Sequence, residues 1–339
     1  MSERSTFIRF VLSGVLTLVG LLLPAGTATA TGPQPSKRSV AGASAEPAPS
    51  PRISSGIPSG HRPVPHRPVR HRTTRHRTTG LWATRHRTTG HRALGRSLGG
   101  RTFSGDGFDT CRAPDLATMD AWRAHSSYRA VGIYFGGRAR ACTTQTQLTP
   151  DWVRQTTASG WSLLPIYVGS QSPCVTGSNK NPYLIDTRDP AAHGASEGAD
   201  AVRAAGALGL SPGSALYFDM ESYDIRDASC KAATLAYIQA WDRQLSAAGY
   251  LSGFYSSADS GVAHLESARR AGAADLPDAI WYARWGVSAS LVNEPSLAAA
   301  AWTPHARIHQ YHGSVSETHG GKSLSIDRDL IDAPVAVVG

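Results

Sequence analysis

The 339-residue chain reads as an α/β protein: a single TIM-like (β/α)8 barrel carried behind a long polar N-terminal region. Three observations predict this. From about Thr102 onward, short apolar runs alternate with amphipathic stretches of helical period. Eight such runs fit into roughly 235 residues, the span of one closed barrel. Carboxylates and aromatic residues recur at the ends of those runs, where a barrel collects its chemistry.

The candidate strands, in order, are residues 107–109, 130–136, 162–168, 215–221, 251–256, 280–285, 307–311 and 324–327. They are short runs rich in β-branched and aromatic residues, bounded by turn formers. Helical patterns at 115–125, 150–159, 190–208, 231–248 and 261–271 separate the first six. Strands alternating with helices imply a parallel sheet with right-handed crossovers. After the fifth helix the spacing shortens and only 296–302 offers a weak helical pattern. The last three strands are therefore expected to lack full covering helices. An open doubly wound sheet is the alternative arrangement.

The region before the barrel has two parts. In residues 1–30, Arg4 and Arg9 precede an apolar core at 11–23, and Ala28-Thr29-Ala30 has the form of a cleavage site. This predicts a signal peptide; its apolar core is short for a membrane span, and a retained anchor is the alternative. Residues 31–101 are rich in Pro and Ser and then carry a five-residue repeat, as in His71-Arg-Thr-Thr-Arg75 and His86-Arg-Thr-Thr-Gly90. A period of five matches neither a helix face nor a strand face, so this segment reads as a disordered linker.

Charge divides the same way. Residues 31–101 hold fourteen Lys and Arg against the single acid Glu46, whereas 102–339 hold eighteen against twenty-three acids. The net +9 thus belongs to the linker. The mildly acidic folded part argues against a nucleic-acid-binding fold. The linker itself either holds the protein to anionic wall polymers in a salt-sensitive way or is a soluble spacer. The expected location is secreted or cell-wall associated, with no stable membrane span, and the expected state is a monomer.

Four cysteines in an exported chain suggest disulfides. Cys111, Cys142, Cys174 and Cys230 follow the first four strands, which puts the pairs Cys111–Cys142 and Cys174–Cys230 on neighbouring loops of one rim. Three connectivities are open in principle. A four-cysteine zinc site is the alternative reading, but it lacks the close Cys-x-x-Cys spacing.

The most informative stretch is Ala215-Leu-Tyr-Phe-Asp219-Met-Glu221. On a strand its two acids share a face, roughly 6.5–7 Å apart along the chain. Buried acids are costly unless paired, hydrogen-bonded or used, and a pair at about this spacing suits acid-catalysed glycoside cleavage. The plainer reading is a helix-capping Asp beside a solvated Glu. Asp109, Tyr255, Trp281, Trp285, Gln310, Tyr311 and Asp327 fall at the ends of other strands and join the pair as candidates. Each Trp alone is more often core filling than a sugar platform. Asp327, Asp329 and Asp332 lack calcium-loop spacing and read as strand-end and surface acids. His264, His305, His309, His312 and His319 read as rim or surface residues. The chain has no nucleophile elbow, zinc-protease helix or phosphate loop.

In order, Gly107-Phe-Asp-Thr-Cys, Phe218-Asp-Met-Glu-Ser, Gly253-Phe-Tyr-Ser-Ser, Ile280-Trp-Tyr-Ala-Arg-Trp, Ile308-His-Gln-Tyr and Ile326-Asp-Arg-Asp make a set. It resembles the bacterial secreted glycoside hydrolase-like domain family, a relative of the family 25 glycoside hydrolases, over residues 104–331. The resemblance implies a barrel acting on, or descended from enzymes acting on, a cell-wall glycan. It implies Glu221 as proton donor, Asp219 as partner carboxylate, Asp109 as the first-strand acid, and Trp281, Gln310, Tyr311 and Asp327 around the sugar. The stretches 174–189 and 222–230 depart from the related hydrolases and leave the substrate open.

The expected reaction is hydrolysis of a β-linked, N-acetylated wall polysaccharide, with Glu221 protonated through partial burial and the nearby Asp219 charge, and Asp219 ionised. No cofactor or metal is required for that chemistry. The alternative is a glycan-binding barrel that keeps the cleft without turnover. A third reading is a wall-anchored structural protein that merely displays the barrel.

Overall fold

Eight strands close into one barrel in the order of the chain. The computed structural model describes residues 100–339; the segments expected to be signal peptide (1–30) and linker (31–101, but for its last two residues) lie outside them. The strands are β1 (Thr102–Thr110), β2 (Ala130–Gly136), β3 (Ser162–Tyr167), β4 (Ala215–Asp219), β5 (Leu251–Ser257), β6 (Ala279–Ala283), β7 (Arg307–His319) and β8 (Lys322–Pro334). The helices are α1 (Leu116–His125), α2 (Pro150–Ala158), α3 (Pro190–Ala207), α4 (Ala228–Ala247) and α5 (Ala263–Arg270).

Local chemistry starts four of these helices; α2 and α3 begin at the residue the sequence reading gives, whereas α4 begins at Ala228, three residues before 231. Asp115, Thr149, Asp189 and Asp227 each accept a backbone N–H of the first turn through the side chain, satisfying donors that a helix start leaves orphaned. Pro150 and Pro190 occupy the first helical position, where no N–H is needed.

β1 to β7 run parallel to their neighbours, but β8 is antiparallel to both β7 and β1. The last two strands form one long hairpin. It turns at Gly320 and Gly321, whose φ values of 57° and 75° fit a two-residue turn that a side chain would strain. No helix covers the barrel after β6 or β7, as the shortened spacing implies. Residues 296–302 form turns and not a helix.

Side-chain alternation makes two cores. Phe108, Val131, Ile133, Leu216, Phe218, Phe254 and Ile280 face the helices, while Leu164, Ile166, Ala215, Tyr217, Trp281, Ile308 and Ile331 fill the barrel. Small residues make room for large ones inside. A Cβ on Gly253 would lie 2.1 Å from the Tyr217 ring, and one on Gly132 would lie 2.4 Å from Asp109 Cβ. The apolar plug occupies the end of the barrel where the parallel strands begin, which leaves the other end for polar groups.

Candidate active site

The period of two along each strand delivers the acids. Ala215 and Tyr217 point inward on β4, so Asp219, two residues on, ends the strand on the inner face. The same parity carries Asp109 inward on β1, Tyr134 on β2, Tyr255 on β5, Gln310 on β7, and Asp327 and Asp329 on β8. At the C-terminal ends of the parallel strands lies a cleft of about 470 Å³, whose lining does not include Tyr255, Gln310 or Asp329. Asp109, Tyr134, Lys180, Asp219, Glu221 and Asp327 line it.

Asp109 and Asp327 face each other across the antiparallel β1–β8 pair. Asp109 accepts hydrogen bonds from the Tyr134 hydroxyl at 2.8 Å and from Gln310 Nε2 at 2.8 Å. That same Nε2 lies 3.5 Å from Asp327 Oδ2. Gln310 Oε1 accepts from the Tyr255 hydroxyl at 2.9 Å and from Trp285 Nε1 at 3.0 Å. One carboxamide thus ties residues of four strands and a rim tryptophan together. Burial, and then the facing Asp327 charge, pushes Asp109 up to about 7 against its two hydrogen bonds. Burial also raises Asp327, opposed by the Ser314 N–H and His312.

Asp219 is buried, and its Oδ1 has no hydrogen-bond partner among the described residues. Burial, and then the charge of Glu221, holds its carboxyl well above the usual range, with Lys180 opposing. Burial and the Glu221 charge thus oppose the ionised form expected of Asp219. Glu221 lies two residues past the end of β4, so 215–221 is not one strand. Its side chain is 43% exposed, and Lys180 Nζ approaches its Oε1 at 3.5 Å. Wholly buried Gln171 fixes this bend. Its Nε2 donates to the Asp219 carbonyl at 2.9 Å, and its Oε1 accepts the Glu221 N–H at 2.7 Å.

Several candidates sit elsewhere than expected. Trp281 is 1% exposed and belongs to the barrel floor, edge-on to Tyr217 and Tyr255. Its Nε1 donates to Asp329 Oδ1 at 2.9 Å. As placed it supports the cleft and offers no face to a sugar. Tyr311 is outside the cleft lining and lies edge-on to His309, 6.0 Å away. Trp285, by contrast, is 56% exposed at the rim. Asp329 is not a surface acid: it is fully buried, and burial, then the charge of Asp109, raises it well above the carboxylate range. His264 and His309 are likewise buried, bonded to the Tyr223 hydroxyl and to backbone groups respectively. Tyr134, Lys180, Gln171 and Asp329 are the site residues that the sequence reading missed. Parity from Gly132 on β2 signals Tyr134; nothing local marks Gln171.

The structure joins Cys111 to Cys142 and Cys174 to Cys230, with Cα separations of 5.8 and 5.9 Å. The first disulfide lines the cleft. Gln145 clamps the same two loops, donating to the Cys111 carbonyl at 2.7 Å and accepting from Ala113 N–H at 3.0 Å. Cys174, Asp227 and Cys230 have metal-like proximity, but the two sulfurs are spent on each other.

Another buried acid, Glu197, lies behind the β3–α3 loop. Glu197 accepts from the Ser170 N–H at 2.8 Å, the Ser170 hydroxyl at 2.7 Å and the Tyr237 hydroxyl, and it pairs with Arg138 at 3.3 Å. His193 Nε2 lies 3.2 Å from Ser170 Oγ, which gives the outline of a Ser-His-Glu triad. The hydrogen bonds exclude that role. His193 Nδ1 accepts the Asp186 N–H at 3.0 Å, so Nε2 carries the ring proton and cannot take one from serine. The cluster instead anchors the loop that carries Gln171.

Acids gathered in a cleft at the C-terminal rim of a closed barrel give the architecture of a glycoside hydrolase-like protein. Residues 120–331 match the model of the Rv2525c-like, glycoside hydrolase-like domain, and the chain belongs to that family. The match begins after β1 and so does not reach Asp109. Among solved structures, the chain is similar to an uncharacterized B. stearothermophilus protein at 21% identity, over 67% of this chain and 95% of that one, with a TM-score of 0.44. It is similar to the Mycobacterium tuberculosis Tat-secreted protein Rv2525c, solved in complex with L-tartrate, at 16% identity over 68% and 96%, with a TM-score of 0.46. The modular autolysin LytC from Streptococcus pneumoniae is similar at 11% identity over 69% of this chain and 47% of its own, with a TM-score of 0.39. No curated protein matches. No helix among the described residues is long and apolar enough to cross a membrane, and two disulfides suit an oxidising, extracytoplasmic setting.

Proposed function

We propose that the barrel hydrolyses a β-linked, N-acetylated polysaccharide of the cell wall. The observation that carries this reading is the convergence of Asp109, Asp219, Glu221 and Asp327 on one open cleft. Glu221 delivers a proton to the leaving glycosidic oxygen as the C–O bond breaks. Asp219, ionised, steadies the oxocarbenium-like transition state or orients a substrate acetamide for internal attack. Water adds at the anomeric carbon and its proton returns to Glu221. Asp109 and Asp327 contact sugar hydroxyls, and Trp285 offers its exposed ring to a sugar face. The protein acts as a secreted, wall-associated monomer, with residues 31–101 tethering it to anionic wall polymers. Mass spectrometry of products from purified glycan strands tests this: release by the parent chain and none by Glu221→Gln is the expected result, and full release by Glu221→Gln removes that residue from the acid role.

One observation favours a second reading, a glycan-binding barrel without turnover. Lys180 stands 3.5 Å from the Glu221 carboxyl and engages the group that would deliver the proton. Calorimetric binding of wall oligosaccharides with no release of reducing ends would select this reading over hydrolysis.

A further inference from the structure

The two walls of the cleft differ in charge. The wall from the β7–β8 hairpin presents Ser314, Leu324, Ser325 and Ile326 together with the acid Asp327, and no cation. The wall from the loops after β1, β2 and β3 presents Arg112 and Lys180. Lys180 projects from a short 3-10 turn at Ser178–Tyr183, and its side chain is 10% exposed. An ammonium carries three N–H donors. Among the described residues only one reaches an acceptor at hydrogen-bond distance, the Ala139 carbonyl at 3.1 Å. Taking an ammonium out of water is costly unless its partners compensate, and a half-exposed carboxyl at 3.5 Å compensates only in part. Arg112 is exposed at the mouth of the same wall.

We propose that Arg112 and Lys180 form an anion subsite which selects glycans bearing a free carboxylate and orients that group towards the β1–β3 side of the cleft. One ammonium and one guanidinium set above several acids suit a single negative charge. The carboxylate takes the unused Lys180 donors and meets the guanidinium fork of Arg112. Lys180 is then drawn from Glu221 towards the substrate, which frees the acid only when the right sugar is seated. This inference rests on the glycan reading of the cleft and deepens it by naming the substrate class.

The test uses isothermal titration of the full chain with an N-acetylated tetrasaccharide bearing free carboxylates and with its carboxyl-reduced, neutral counterpart. Because the linker is strongly basic, the decisive quantity is the ratio of the two affinities in the parent against Lys180→Met and Arg112→Gln in the same full chain. The parent is expected to prefer the carboxylated sugar by roughly tenfold or more. Lys180→Met is expected to bring the ratio near one, and Arg112→Gln to lower the ratio partway. Equal binding of both sugars by the parent overturns the subsite and leaves the glycan reading standing, as does an unchanged ratio in both variants. Binding of neither sugar overturns the glycan reading and the subsite with it. Arg112 lies on the surface, so its variant keeps the test open should Lys180→Met fail to fold.

Discussion

Glu197 and Asp219 are about equally buried, at 9% and 6% exposure, yet their surroundings are opposite. Glu197 collects a backbone N–H, two hydroxyls and an arginine. Asp219 has an oxygen with no partner and another acid beside it. The first arrangement recovers in hydrogen bonds what burial removes and so works as a joint between loop and helices. The second leaves burial uncompensated and opens onto a cleft. Burial of an acid does not by itself mark function; burial left unsatisfied beside a cavity does.

That contrast can be broken most directly by neutral isosteres. Asp219→Asn and Glu221→Gln are each expected to cut product release from purified glycan strands by about 10²–10⁴-fold, with the urea midpoint almost unchanged. Loss of activity in Glu197→Gln of the same size, at unchanged stability, would erase the distinction. Glu197→Ala is expected to cost about 3 kcal/mol of unfolding free energy, because Arg138, Tyr237 and the Ser170 N–H lose their acceptor. Asp219→Asn should cost under about 1 kcal/mol, since it removes a charge the site hardly tolerates. Equal costs in urea titration would show the two acids to be structural alike.

Gln171→Met tests how far the joint serves the cleft. Replacing a carboxamide that spans Asp219 and Glu221 by an isosteric thioether should lower kcat roughly tenfold, with KM within about twofold. A matching rise in KM would mean that Gln171 shapes the sugar site and not the acid pair.

The smallest effect is on pH dependence. Folded Asp109 keeps its proton up to about 7, whereas the unfolded chain releases it near 3.8. Between those values the native state binds more protons, so its stability falls as pH rises from about 4 through about 7. Asp219, Asp327 and Asp329 shift the same way. Asp186 and Asp224, held low by Arg188 and Arg226, are already ionised above pH 5. Buried His264 and His309, held low by desolvation, act in the opposite sense between pH 5 and 8, so the cleft is isolated by difference: in urea titrations Asp109→Asn should lose less stability than the parent as pH rises through that range. An unchanged slope would locate the effect elsewhere.

Much of this was legible in the chain. The short apolar runs at 130–136 and 251–256 place strands to within a residue, and the helical patterns at 150–159 and 190–208 place the starts of α2 and α3, because both signals are local. The order of the cysteines after successive strands gave the disulfide pairing, since consecutive parallel strands are neighbours in a barrel. The direction of β8 was less visible. The gap between 311 and 324 is short for a crossover between parallel strands, and Gly320-Gly321 is a hairpin signal; the alternating polar residues around it disguised strand as loop. The resemblance and strand-end order both put Trp281 and Tyr311 at the sugar site, but neither says which face a residue takes once a strand starts or bulges a residue away.

The sequence by itself therefore determined the barrel, its disulfides, the starts of α2 and α3 and the presence of acids at strand ends, all set by periodicity and nearest-neighbour chemistry. Only the tertiary structure decided which acids lack partners and which residues hold them. Gln310 and Asp109 are 201 positions apart, and Gln171 reaches across 50 to Glu221. Hydrogen-bond satisfaction and desolvation depend on what surrounds a group in space, and closing the barrel is what brings those distant residues to the same few ångströms.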